Sequence, residues 1–223
     1  GNLETTSTKT LKGHTDIVTS VTWSSNGKIA SSSHDGSYRV WDANSGSQIF
    51  SFETKGGGWF SEKEKALFVE FSPNNKYLAT LSDETVGVQM FNVDADTLNE
   101  WKISDWRKIK IVRFSPDSKK IVTAGGIGIL SKDSMVRVWS IESGKQLLEF
   151  EHKDVLSVTW SKNGELIATG TNLGEICIWK ALTGEKINNR CLYSKGKDQI
   201  VNTLSFSEDN EILVSGHGSG RIF

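Results

Sequence analysis

A chain of 223 residues with 36% hydrophobic and 24% charged residues can bury a full core, as one large domain or two small ones. Its 26 basic and 27 acidic residues leave a formal charge of -1, which excludes a long-range pull toward nucleic acid or an anionic membrane and leaves that role to local patches alone. No apolar run approaches the roughly 18 residues that a bilayer span needs, and GNLETTSTKT at the start lacks the apolar stretch of a signal peptide, so the expected address is intracellular, cytoplasm or nucleus.

In chain order, the first predicted element is LETTSTKT (3–10), whose period-two alternation has the look of a strand without a sheet of its own. Five similar segments follow: IVTSVTWS (17–24), ALFVEFS (66–72), IKIVRFS (109–115), VLSVTWS (155–161) and VNTLSFS (201–207). Each alternates, and each ends in an aromatic residue followed by serine. Behind each comes a turn and a second strand: SNGKIASSS, PNNKYLATLS, PDSKKIVTAG, KNGELIATG and EDNEILVSG. The Asn-Gly and Pro-Asp pairs supply the positive or preset φ that a hairpin needs. A third strand follows in four of the five (SYRVWDA, VGVQMFNV, MVRVWSI, EICIWKA), then a Ser-Gly or Thr-Gly turn and a fourth strand such as SQIFSFET, KQLLEFEH or KINNRCLY. The third-strand aromatics Trp41, Phe91, Trp139 and Trp179 recur every 40 to 50 residues, and four antiparallel strands per repeat make a propeller blade.

The segment LKGHTDIVTSVTWSSNGKIASSSHDGSYRVWD resembles a near-complete WD40 repeat, with Gly13-His14 ahead of the first strand, Asp35 in the second turn and Trp41-Asp42 at the close. The resemblance runs over almost all of residues 11–223 and weakens along the chain. The second repeat has Phe91-Asn92 and no Gly-His, and the third has Asp133 with Trp139-Ser140. The fourth keeps His152 and Trp179 but puts Asn172 and Leu173 where an aspartate is expected, and the fifth stops at Gly220-Arg221-Ile222-Phe223. The implied fold is an all-β, WD40-type β-propeller with blades at about 11–54, 55–104, 105–151, 152–194 and 195–223, the last one incomplete. The expected setting is a seven-bladed ring whose other repeats lie outside this sequence, with residues 1–10 as the closing strand; the alternative is a closed five-bladed ring.

The resemblance also implies a role for the histidine and aspartate. In the family a histidine, a strand hydroxyl, the turn aspartate and the tryptophan indole form a buried hydrogen-bond chain. His14, Ser33 (or Ser31), Asp35 and Trp41 fall on those positions, with Asp133, Trp139, His152 and Trp179 as their later counterparts. The set has the composition of a catalytic triad, but a nucleophile must be exposed beside its base and an oxyanion donor pair, so the expectation is structural. AGGIGIL (124–130) lacks GxGxxG spacing and reads as an inserted loop; Asp94 and Asp96 read as solvated turn residues. Cys177 and Cys191, without a CxxC pair, argue against a zinc site and against a disulfide framework. The four histidines are too dispersed for a metal site, although His34 and His217 come from corresponding turns. No cofactor is expected.

What remains is surface. The resemblance implies that loops entering the first strand and turns between the second and third lie on one rim, where the family generally binds peptides or partner domains. The residues on that rim are Thr15, Asp16 and His34; Trp59, Phe60, Glu62 and Lys63; Trp106, Arg107 and Lys108; Lys153, Asp154 and Leu173; and Lys197, Asp198, Gln199 and His217. Trp59-Phe60, after three glycines, and the cationic WRKIK (106–110) stand out as interface anchors. The expected function is a non-enzymatic scaffold or adaptor that holds a peptide or protein subunit within a multiprotein complex, with no membrane contact. Two alternatives remain: an RNA or ribonucleoprotein-associated propeller using 106–110, and a propeller enzyme, disfavoured for want of a metal-ligand cluster or an exposed nucleophile.

Overall fold

The structure is a computed structural model and describes residues 8–54, 63–83, 86–93, 99–103, 109–125, 134–189, 191–193 and 200–223. Every strand expected to open a repeat is present: β1 (Val18–Trp23), β5 (Ala66–Phe71), β9 (Ile111–Phe114), β13 (Val155–Trp160) and β17 (Val201–Phe206). So are the second strands β2 (Lys28–Ser33), β6 (Tyr77–Ser82), β10 (Lys120–Ala124), β14 (Leu166–Thr171) and β18 (Leu213–His217). Third strands are β3 (Ser37–Asp42), β7 (Val88–Asn92), β11 (Met135–Ser140) and β15 (Glu175–Lys180); fourth strands are β4 (Gln48–Glu53), β8 (Asn99–Ile103), β12 (Gln146–Glu151) and the two-residue β16 (Leu192–Tyr193).

They pair in chain order as four four-stranded antiparallel sheets and one two-stranded sheet, β17-β18, to which Ile222 adds a single bridge at Gly216. The described part of the chain is thus a series of WD40-type blades, the last one partial. Of the expected closing strand only residues 8–10 are described, and they are not in a strand. The expected fourth strand at KINNRCLY shrinks to β16, because Ile187–Asn189 form a 3-10 turn in which Asn188 takes φ 56°.

The recurring aromatic-Ser pair has a local cause. In each repeat the serine hydroxyl accepts the N–H of the residue that opens the second strand or, for Ile212, immediately precedes it: Ser24 from Lys28, Ser72 from Tyr77, Ser115 from Lys120, Ser161 from Leu166 and Ser207 from Ile212, at 2.7 to 3.0 Å. The hairpin between needs one residue in the left-handed region, and Gly27, Asn75, Ser118, Gly164 and Asn210 occupy it with φ between 58° and 84°.

The chain divides into two compact units, residues 1–71 with 80–85 and residues 72–79 with 86–223. In the first, β1 packs on β5, and the Thr19 hydroxyl donates to the Ala66 carbonyl at 2.7 Å. In the second, the third and fourth sheets bury one cluster, with Val122, Val136, Val138 and Phe150 against Val158, Trp160, Ile167 and Trp179. The Trp160 indole N–H donates to the Arg113 carbonyl at 3.2 Å. The fourth and fifth sheets bury Ala168, Ile176, Val201, Leu204 and Phe206 together, and the Ser157 hydroxyl donates to the Val201 carbonyl. This approach is close enough to demand glycine at 170, where an added Cβ would sit 2.4 Å from Val201 Cγ1.

Candidate functional site: the buried polar chain and the exposed turns

In the first repeat the structure brings His14, Ser31, Asp35 and Trp41 together. Ser31 and Ser33 lie two residues apart on the same face of β2, and it is Ser31 whose hydroxyl meets the Trp41 indole and the His14 ring. Trp41 Nε1–H donates to Ser31 Oγ at 2.9 Å, and Ser31 Oγ lies 2.8 Å from His14 Nε2. His14 Nδ1 lies 2.9 Å from Asp35 Oδ2. Because the carboxylate can only accept, Nδ1 carries the proton, and the Ser31 hydroxyl therefore donates to Nε2. Ser33, the expected member, is one of the corrections: its hydroxyl donates to the Asp16 carbonyl and accepts from Asp35 N–H, closing the turn instead.

Asp35 accepts from His14, Thr15 N–H, Ser37 N–H and the Ser37 hydroxyl, at 2.6 to 3.0 Å. Burial pushes its pKa up, but the bonds from Ser37, Thr15 and His14 outweigh burial and hold the carboxyl well below the usual carboxylate range. Both side chains of the His14–Asp35 pair are under a tenth exposed, and Ser31 is buried with the Trp41 indole on its oxygen. A hydroxyl so enclosed cannot reach a substrate, so the chain satisfies buried polar groups and fastens the entry loop to the sheet.

The later repeats keep fragments of this arrangement. Trp139 Nε1–H donates to Thr123 Oγ1 and Trp179 Nε1–H to Thr169 Oγ1, each at 2.8 Å. His152 Nδ1 lies 2.7 Å from the same Thr169 oxygen. Burial lowers the His152 pKa, against the opposing pull of Glu175, so the ring is held toward its neutral form. Asp133 lies outside the described residues. Thr123 and Thr169 were not singled out in the sequence. The signal for them is register, since each is the second-strand residue cross-paired two places before the tryptophan: Thr123 with Arg137, Thr169 with Cys177, and Ser31 with Arg39.

Of the expected rim residues, Trp59, Phe60, Trp106, Arg107, Lys108 and Asp198 lie outside the described residues, as do Glu62, Lys197 and Gln199. Asp16 is exposed and accepts the N–H of Ile17 at 2.7 Å; His34 is half-buried and donates its N–H to the Ile17 carbonyl. Lys63 is exposed and pairs with Glu53 at 2.6 Å. In the fourth repeat, Asn172 N–H donates to the Asp154 carbonyl at 3.2 Å, so the entry turn with Lys153 and Asp154 is tied to the turn that carries Leu173. Leu173 is 66% exposed.

His217 is a correction. It is buried, 6% exposed, with Nε2 on the Ser215 hydroxyl at 2.8 Å. Val201 pairs with His217 as Val18 pairs with Ser33, so His217 is the last strand residue, and the counterpart of His34 is Gly218. The one-residue difference turns the side chain from rim to interior and separates it from the His34 position.

The cysteines are a further correction. Cys177 and Cys191 are disulfide-bonded, their Cα atoms 4.4 Å apart, and the reading against a disulfide fails because spacing in sequence carries no information on cross-strand register.

The chain belongs to the WD40 family: the WD domain, G-beta repeat matches residues 5–42, 103–140, 144–180 and 189–223, well over half of the chain. Proteins of this family generally act as protein-interaction scaffolds. The chain is 30% identical over 218 residues to small ribosomal subunit protein RACK1 of Caenorhabditis elegans, covering 95% of this chain and 61% of that protein. It is 28% identical over 213 residues to cross-pathway control WD-repeat protein 2 of Flammulina velutipes, covering 94% and 62%. It is 25% identical over 160 residues to the WD repeat-containing protein 26 homolog of Arabidopsis thaliana, covering 70% and 25%. The chain therefore spans between a quarter and about three fifths of these relatives' lengths. Among the described residues no helix is long and apolar enough to cross a membrane.

Proposed function

We propose that this protein is a non-enzymatic scaffold that holds a peptide or protein subunit on the turns between its second and third strands and the loops entering its first strands. The observation that carries the reading is the fourth repeat's turn, where a two-thirds exposed Leu173 stands on a turn tied by hydrogen bond to the Asp154 carbonyl, next to Lys153. An apolar anchor ringed by charge is the composition of an interface hot spot. The family supports the same role, and the buried His14–Ser31–Asp35 chain offers no accessible nucleophile. Asp16, His34, Lys63, Trp59, Phe60, Trp106, Arg107, Lys108 and Asp198 belong to the proposed face by their place in the repeats. Its setting is a seven-bladed ring in the cytoplasm or nucleus.

The test begins with a partner recovered by site-specific photo-crosslinking from position 173, confirmed by titration of the purified pair. Leu173→Asp should weaken that pair by about 1–3 kcal/mol with the melting temperature unchanged. Undiminished affinity in Leu173→Asp combined with Trp59→Ala and Trp106→Ala would place the binding face elsewhere. The relative named as a small ribosomal subunit protein favours a second reading, a ribonucleoprotein partner for 106–110. Nuclease treatment that abolishes co-purification, with Arg107→Glu and Lys108→Glu doing the same, distinguishes it.

A further inference from the structure

The fourth repeat holds a side-chain cluster that scaffolding does not use. The strands β15 and β16 pair Glu175 with Tyr193 and Ile176 with Leu192, so the next rung sets Cys177 against Cys191. On the corresponding rung the first repeat has Arg39 opposite Ser51, and the third has Arg137 opposite Glu149, an ion pair at 3.4 Å. The cysteines thus replace a polar cross-strand pair by two sulfurs, and other donors converge on them. His152 Nε2 lies 3.3 Å from Cys177 Sγ and 3.4 Å from Glu175 Oε2. One donor atom from each of His152, Glu175, Cys177 and Cys191 lies within 4.8 Å of all the others.

Two neighbours orient these donors. The Thr169 hydroxyl accepts the Trp179 indole N–H and lies 2.7 Å from His152 Nδ1, which fixes the imidazole ring. Nε2 faces the sulfur and the carboxylate and presents a lone pair to a metal once its proton passes to Nδ1, where the Thr169 oxygen fixes the ring as a second hydrogen bond does for a metal-ligating histidine. The Tyr193 hydroxyl donates to Glu175 Oε1 at 3.2 Å and leaves Oε2 toward His152.

We propose that, when the disulfide is reduced, Cys177, Cys191, His152 and Glu175 bind one Zn²⁺ ion in a closed four-ligand site, so that a metal replaces the covalent link between β15 and β16. A dithiol or phosphine reductant delivers two electrons to the S–S bond, which breaks as each sulfur takes a proton from solvent and the reductant is oxidised. Zinc binding then displaces both thiol protons to solvent. Two thiolates, an imidazole and a carboxylate suit Zn²⁺, whereas Ca²⁺ and Mg²⁺ require oxygen ligands. In a tetrahedral site with bonds of about 2.0–2.3 Å, ligand atoms stand roughly 3.5 Å apart, so the two sulfurs must separate, while no other pair of donors starts more than 4.8 Å apart.

The 223-residue chain is reduced with a phosphine, freed of reductant without air, and titrated with Co²⁺ as a spectroscopic probe and then with Zn²⁺. The expected result is one equivalent bound, with a thiolate-to-cobalt charge-transfer band and tetrahedral visible bands that Zn²⁺ abolishes. The oxidised chain and the Cys191→Ser variant should show neither. Glu175→Gln, at a side chain 29% exposed, keeps the fold by circular dichroism and should lose zinc affinity by about tenfold or more in chelator competition. Metal uptake by the reduced chain no greater than that of Cys191→Ser, or zinc affinity unchanged in Glu175→Gln, would overturn the site.

Discussion

The strands β1 and β13 have nearly the same sequence, VTSVTW and VLSVTW, and nearly the same pairing, each with a register irregularity after its first residue. Their burial is opposite. Val155, Val158 and Trp160 are 3%, 3% and 6% exposed, whereas Val18, Val21 and Trp23 are 53%, 62% and 65% exposed. The backbone form follows from alternation and hairpin chemistry that both segments carry. Burial follows from the sheet packed on that face, and for β13 this is the third repeat, through Val122, Val136 and Val138. A residue's local structure and its energetic weight are therefore set by different parts of the chain.

The comparison is sharpest at its two tryptophans. Trp160→Ala should cost about 3–5 kcal/mol in denaturant unfolding, because it empties a packed interface and removes the bond to the Arg113 carbonyl. Trp23→Ala should stay within about 1 kcal/mol. Equal losses at the two positions would mean that β1 is covered in solution.

Asp35→Ala should cost about 3 kcal/mol by thermal unfolding, since it leaves His14, Thr15 N–H and Ser37 without their acceptor. The pH dependence has a defined direction. A carboxyl whose folded pKa is depressed stabilises the fold above its unfolded pKa of about 3.9, and that contribution is lost as the pH falls through the folded value. The stability gap between wild type and Asp35→Asn should accordingly narrow below about pH 4; a gap that widens there would contradict the assigned hydrogen bonds.

A smaller effect belongs to Gly170. Gly170→Ala should cost about 1–3 kcal/mol through overpacking against Val201, and Val201→Ala in the same chain should recover part of it, as a double-mutant cycle in urea would show.

The repeat architecture was legible because each strand repeats the same signals: alternation, the aromatic-Ser close, and a hairpin residue able to take positive φ. The network was legible in kind, because His14, Asp35 and Trp41 stand at fixed offsets, but Ser31 and Ser33 are both inward-compatible neighbours in a run of three serines, and only the sheet register separates them. His217 was misplaced for the same reason, by one residue at a strand end. The disulfide was not legible at all: Cys177 and Cys191 meet through the register of the short β16, after a 3-10 turn at Ile187–Asn189 that no pattern in KINNRCLY announces.

The central claim is that the His14–Ser31–Asp35–Trp41 chain is architecture whose members act as one unit, leaving function to the surface. The most direct test is a double-mutant cycle of His14→Ala and Asp35→Ala in equilibrium unfolding of the 223-residue chain. Linked members should show a coupling energy of about 1–3 kcal/mol, the double variant losing clearly less than the sum of the singles. Strict additivity, or a melting temperature unmoved by either substitution, would contradict it.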